Sequence, residues 1–151
     1  MKKRLIALAG AILLTAGALS AQTTDSASLF LSGVVGPYVN IEVTPTANAT
    51  NLLLNIAQGS PVTVAEVVEV SNESYTVSVS SVNNFAFSNG DHTHDYILYY
   101  GGTAFPEGGQ VSTGGFANHV TRTVGITYDS AGTLQAGTYT DTVTFTIESN
   151  S

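Results

Sequence analysis

The chain of 151 residues has no cysteine, no tryptophan and very little positive charge. Without cysteine no disulfide can staple the fold, and the core has to hold it alone. Lysine and arginine together number four, and three of them, Lys2, Lys3 and Arg4, stand at the N-terminus. They open a recognisable pattern: a basic start, an apolar run over residues 5–18, and Leu19-Ser20-Ala21 ending on a small side chain. That pattern is a secretory signal peptide, residues 1–21, with the mature chain beginning at Gln22. The run is too short and wrongly flanked for a membrane span, so the expected product is secreted, through a periplasm to the cell surface or beyond.

After cleavage one basic residue, Arg122, faces eleven acids. Nucleic acid and anionic lipid are bound by Lys and Arg neutralising phosphates, so this composition excludes both as partners. Residues 22–151 are enough for one domain, which at this size buries about two thirds of its unfolded surface. The chain also lacks a G-x-S-x-G elbow or other nucleophile motif, and its acids are scattered singly rather than paired. No enzymatic activity is expected from it.

What is present is alternation. Val39, Ile41 and Val43 alternate with polar residues; Leu52, Leu54 and Ile56 do the same after a polar loop; residues 62–70 and Tyr75, Val77 and Val79 follow. The clearest run is the last, where Tyr139, Val143, Phe145 and Ile147 oppose Thr140, Thr142, Thr144 and Thr146. Period-2 patterning of this kind marks half-buried strands. Turn formers separate the runs at residues 71–74, 88–91, 129–132 and 135–137, and Gly101-Gly102 is a candidate two-residue hairpin. Residues 106–118 are Gly-rich and unpatterned and read as a long surface loop. The expected fold class is all-β, a sandwich of eight or nine short antiparallel strands.

The closing run QAGTYTDTVTFTIE, residues 135–148, resembles the end of spore coat U-domain proteins, subunits of secreted chaperone–usher pili. Upstream, PYVNIEVTP (37–45) with LLLNI (52–56), VSNESYTVSVSS (70–81) and YILYY (96–100) resemble further segments of that family. The resemblance implies an immunoglobulin-like sandwich lacking one strand, which the N-terminal segment of a neighbouring subunit completes. It implies self-association or related pilin subunits as partners, together with a periplasmic chaperone and an usher. Where the family carries a disulfide, this chain has Val39 at one cysteine position and Ser71 or Asn72 at the other.

A donated strand needs alternating apolar side chains. Leu29, Leu31, Gly33 and Val35 share one face, with Phe30, Ser32 and Val34 on the other, so residues 22–36 are a candidate donor segment. The same alternation equally fits the first strand of a self-contained sandwich, since it does not say whose sheet the strand joins. In that case the protein is a monomeric secreted module, adhesin-like, holding a cation or a carbohydrate.

Two features bear on that alternative. In NGDHTHDY (89–96), His92 and His94 are two apart, a spacing used by zinc sites, while Asp91, Asp95, Asn89 and Thr93 offer oxygens of the kind calcium takes. A third zinc ligand has to be His119, which requires the Gly101-Gly102 hairpin to bring it alongside; otherwise this stretch is a polar turn and no cofactor is implied. Tyr96, Tyr99, Tyr100 and Phe105 form the densest aromatic cluster, but alternation sends one side of it into the core. Arg122 shares a face with Val124 and Ile126 and is expected to form an ion pair or a contact at a strand end.

Overall fold

The computed structural model describes residues 24–105, 109–113, 119–132 and 134–150. The signal peptide read over residues 1–21 lies outside them. The chain divides into two units, residues 1–34 and 35–151. In the first, residues 24–34 form neither strand nor helix, and Leu29, Phe30, Leu31 and Val34 are between 80% and 95% exposed.

The second unit is all-β. Among the described residues it holds ten strands: β1 (Val39–Pro45), β2 (Gln58–Ser71), β3 (Tyr75–Ser81), β4 (Ala86–Ser88), β5 (Thr93–Asp95), β6 (Ile97–Tyr100), β7 (Thr103–Ala104), β8 (Gln110–Thr113), β9 (Val120–Tyr128) and β10 (Val143–Ser149). One 3-10 turn, Ala47–Thr50, follows β1. The ladders are antiparallel and build a five-stranded sheet β1-β2-β9-β6-β7, a three-stranded sheet β10-β3-β8 and a small β4-β5 pair. Ala65, Val67, Leu98, Val124 and Ile126 of the larger sheet pack into one core with Tyr75, Val77 and Val79 of the smaller one. Two sheets facing each other across one apolar layer is the arrangement expected of a β-sandwich. Among the described residues no helix is long and apolar enough to cross a membrane.

The Gly101-Gly102 hairpin forms as read. Both glycines have positive φ, 59° and 84°, and Tyr100 pairs with Thr103 across them; a two-residue turn of this hand requires such angles, which glycine adopts without strain. Three other readings need correction. Leu52, Leu54 and Ile56 do not form a strand, because turn and loop bonds capture the backbone: Ile56 N–H bonds to Leu53 O at 3.0 Å, Leu54 O accepts from Ala131 N–H at 2.7 Å, and Asn55 O accepts from Ser130 Oγ at 2.8 Å. Leu52 and Leu54 reach the core from a loop instead.

The stretch 106–118, read as loop throughout, contains β8, whose backbone pairs with Tyr75–Ser78 of β3. An edge strand is defined by that pairing and can lack the alternation that betrays a half-buried one. The last strand begins at Val143 rather than Tyr139, because Asp141 interrupts it. Its carboxylate accepts from Ser81 Oγ at 2.5 Å, from Tyr96 OH at 2.6 Å, and from the backbone N–H groups of Asn83 at 3.1 Å and Thr142 at 2.7 Å. Thr140 keeps one isolated bridge, to Ser88.

A charge lies at the centre. Glu69 of β2 is 0% exposed, and its carboxylate accepts from Tyr75 OH at 2.6 Å, from Tyr100 OH, and from Arg122 Nε at 2.8 Å. The register explains the meeting. Glu69 sits opposite Val120 and Tyr100 opposite Val124, so Arg122, between them on the same face of β9, reaches both. Tyr75 comes from the facing sheet, so the carboxylate joins the two layers. Arg122 also lies over the Tyr100 ring, 5.7 Å from its centroid. The expected ion pair for Arg122 is therefore present, and its partner is buried. Burial, the largest single influence, lowers the Arg122 pKa, but the Glu69 charge and hydrogen bond together with Tyr100 and Tyr75 outweigh it and the net shift is upward.

Candidate assembly site

The Thr-rich composition of β10 and the Val/Ile pattern of β1 make both half-buried strands, and the topology leaves both at a sheet edge. Among the described residues, β1 pairs only with β2 and β10 only with β3. The two edges run side by side, with Cα atoms coming within 8 Å, yet no ladder joins them. The inward side chains of this seam are incompletely covered. Val39 and Ile41 of β1 and Val143, Phe145 and Ile147 of β10 are half-buried, and Val43 is 41% exposed. The inward residues of the central strands, such as Val67 and Val77, are fully buried. An uncovered apolar strip between two unpaired edges is what an added strand requires: backbone groups to bond and pockets for alternate side chains.

The candidate donor residues Leu29, Leu31, Gly33 and Val35 belong to no strand. Leu29, Leu31 and Val35 are 80% to 87% exposed, and their off-face neighbours Phe30 and Val34 are exposed as well. The first strand of the domain is β1, which begins at Val39. Opposite Val39, its Cα partner is Ser71. The resemblance had put the family's two cysteines at Val39 and at Ser71 or Asn72, and β1–β2 pairing makes the first two direct neighbours. Facing residues in an antiparallel pair lie about 4.5 to 5.5 Å apart between Cα atoms, within disulfide range.

The candidate metal ligands are not gathered. NGDHTHDY spans the turn of the β4–β5 hairpin and β5 itself: Ser88 pairs with Thr93, and Asn89 Oδ1 accepts from Asp91 N at 3.1 Å and His92 N at 2.8 Å. Asp91, His92 and Asp95 are exposed. His94 is half-buried, with Nε2 2.8 Å from Asp129 O. His119 lies at the far end: it precedes the nine-residue β9, whereas Asp129 follows it, a separation of roughly 30 Å along an extended strand. The hairpin on which the metal reading depended is present, but the β6–β9 register places His119 at the opposite end of β6 from NGDHTHDY. Among the described residues no group of three or more His, Cys, Asp or Glu comes together.

Tyr96 and Tyr100 are core residues, and Tyr99 is half-buried. Burial, then the hydrogen bonds to Asp141 and to Glu69, push the phenol pKa of Tyr96 and of Tyr100 far above the ordinary value. An open cleft of about 730 Å³ lies elsewhere, lined by Leu52, Leu53, Phe87, Leu134, Tyr139 and Asp141 among others. Two of its polar members are already bonded within the protein: Tyr139 OH donates to Gln135 O at 2.9 Å, and the Asp141 carboxylate accepts the four bonds given above.

Sequence reading missed Glu69 and Asp141, the two carboxylates that organise the core. Glu69 alternates in phase with Val67 and Ser71 on the inward face, and that phase was the available signal. No protein-family model matches the chain, and no curated protein matches it.

Proposed function

We propose that this protein is a secreted structural subunit that polymerises by strand donation, residues 29–35 of one copy filling the seam between β1 and β10 of the next. The observation that carries the reading is the pairing of needs within one chain. The domain has two neighbouring unpaired edges over half-covered apolar side chains, and the N-terminal segment offers alternating apolar side chains that nothing covers. Head-to-tail donation does not close on itself, so it builds a filament. A strand lying between β1 and β10 needs about 9.6 Å, twice the interstrand spacing. The edges approach within 8 Å, so insertion spreads them by a few ångströms.

The resemblance to spore coat U-domain pilins supports the same reading, as does the meeting of Val39 and Ser71. A subunit that exposes such a seam before assembly requires shielding, which is the task of a periplasmic chaperone, with an usher to order the exchange. The test is size-exclusion chromatography with light scattering on the mature chain beside a version lacking residues 22–36. Donation predicts oligomers from the first, and from the second a domain that binds the missing peptide in trans. A stable intact monomer whose truncated form unfolds would mean that the segment completes its own sandwich.

A further inference from the structure

Strand donation leaves one problem unsolved: a chain that carries both the seam and the segment can fill its own seam and stop growing. The segment enters the domain through Gly36-Pro37-Tyr38 and then β1, which borders the seam. To lie in its own seam it has to reverse direction between residues 35 and 39. Three hydrogen bonds oppose this, and all involve Asn72, the first residue past the end of β2. The Asn72 backbone N–H donates to Tyr38 O at 3.1 Å. Its side chain accepts from Tyr38 N–H at 2.7 Å through Oδ1 and donates to Gly36 O at 2.9 Å through Nδ2. One side-chain amide thus bonds an N–H and a C=O as a peptide group of a neighbouring strand does, and it carries the β1–β2 pairing past the register pair Val39 and Ser71 as far back as Gly36. Pro37 reinforces the effect, since it disfavours helical or tightly turned backbone at Gly36.

We infer that Asn72 is a positioning residue that holds residues 36–38 in line with β1 and so reserves the apolar segment for a second copy of the chain. This rests on the strand-donation reading and adds to it the choice between self-filling and exchange. The geometry makes the choice depend on the amide: alanine removes both side-chain bonds, whereas aspartate keeps an acceptor for Tyr38 N–H and loses the donor to Gly36 O.

The experiment compares the mature wild-type chain, Asn72→Ala and Asn72→Asp by light scattering at equal concentration. Circular dichroism establishes that each is folded, and each is also mixed with excess synthetic peptide of residues 24–36. The wild type should be oligomeric and should shrink when the peptide caps its seams. Asn72→Ala should raise the monomer-to-oligomer ratio on the order of tenfold, the modest net worth of two hydrogen bonds, and its monomer should ignore the peptide because its own segment fills the seam. Asn72→Asp should fall between the two. If Asn72→Ala is unfolded, Asn72→Asp decides alone, a gain in monomer supporting the inference and no gain overturning it. Folded variants that match the wild type overturn the role of Asn72 while leaving donation standing, provided the peptide still disperses the wild type. A monomeric variant that takes up peptide as readily as the wild type also overturns it, because its seam is then empty. A wild type indifferent to peptide removes strand donation itself, and this inference with it.

Discussion

At the centre of the sandwich Val67, Tyr75 and Val77 are 0% exposed, whereas at the seam Val43 remains 41% exposed and no inward side chain of β1 or β10 is fully buried. Both regions are made of alternating Val, Ile, Tyr and Phe. The difference lies in pairing: among the described residues β2, β3 and β9 each have neighbours on both sides, and β1 and β10 have one. The centre is so complete that it accommodates an ion pair with every buried side-chain polar atom among the described residues bonded. The seam is apolar yet unfinished. Stability therefore resides in the first region, and the proposed association is assigned to the second.

The largest test of the contrast is alkaline. Tyr96 and Tyr100 have folded-state pKa values raised above the unfolded value of about 10, by burial first and then by their carboxylate partners. A raised folded pKa contributes stability that is fully present below the unfolded pKa and is lost as pH rises beyond it. The domain should unfold cooperatively above about pH 10, and a tyrosinate absorbance titration should show these two phenols ionising only with that transition. Smooth ionisation of all the tyrosines in a folded protein would show that the centre is not closed.

Next in size, Arg122→Leu strands the Glu69 charge among apolar neighbours and should cost roughly 3–5 kcal/mol in urea denaturation. Pairing it with Glu69→Leu should recover much of that loss, since the desolvated charge leaves with its partner. At the border between the two regions, Val39→Cys with Ser71→Cys should form a disulfide on oxidation and stabilise by roughly 3–4 kcal/mol through loop closure in the unfolded chain. Mass spectrometry and a reduced control check this. Smallest and most direct is a pair of truncations: Leu98→Ala at the centre should cost about 3 kcal/mol, and Val43→Ala at the seam less than about 1 kcal/mol. Equal costs would erase the distinction on which the assembly site rests.

The strands with one wet face were legible because alternation reports the burial of one side. Tyr75, Val77 and Val79 fall inward as their spacing indicates, and residues 62–70 lie within β2. Residues 52–56 misled, because a local turn and the loop at residues 130–131 captured the backbone there while Leu52 and Leu54 still reached the core. β8 escaped notice because its identity as a strand depends on β3. The metal reading of Asp91, His92, His94, Asp95 and His119 turned on a register, and pattern carries none: the hairpin at Gly101-Gly102 was readable, but not that β9 starts, with His119, at that hairpin's end of β6 and so away from residues 91–95.

Local chemistry by itself determined that this chain makes strands, where most of them turn, that no disulfide assists them, and that the segment around Leu29 to Val35 can lie in a sheet. Each of these follows from side-chain volume, polarity and backbone preference over a few residues. Which strands meet was decided only by tertiary structure, since pairing joins residues far apart in the chain, as Arg122 joins Glu69 and Tyr100. The two unpaired edges of the seam arise in the same way: an edge is a property of a neighbour, and no single segment contains it.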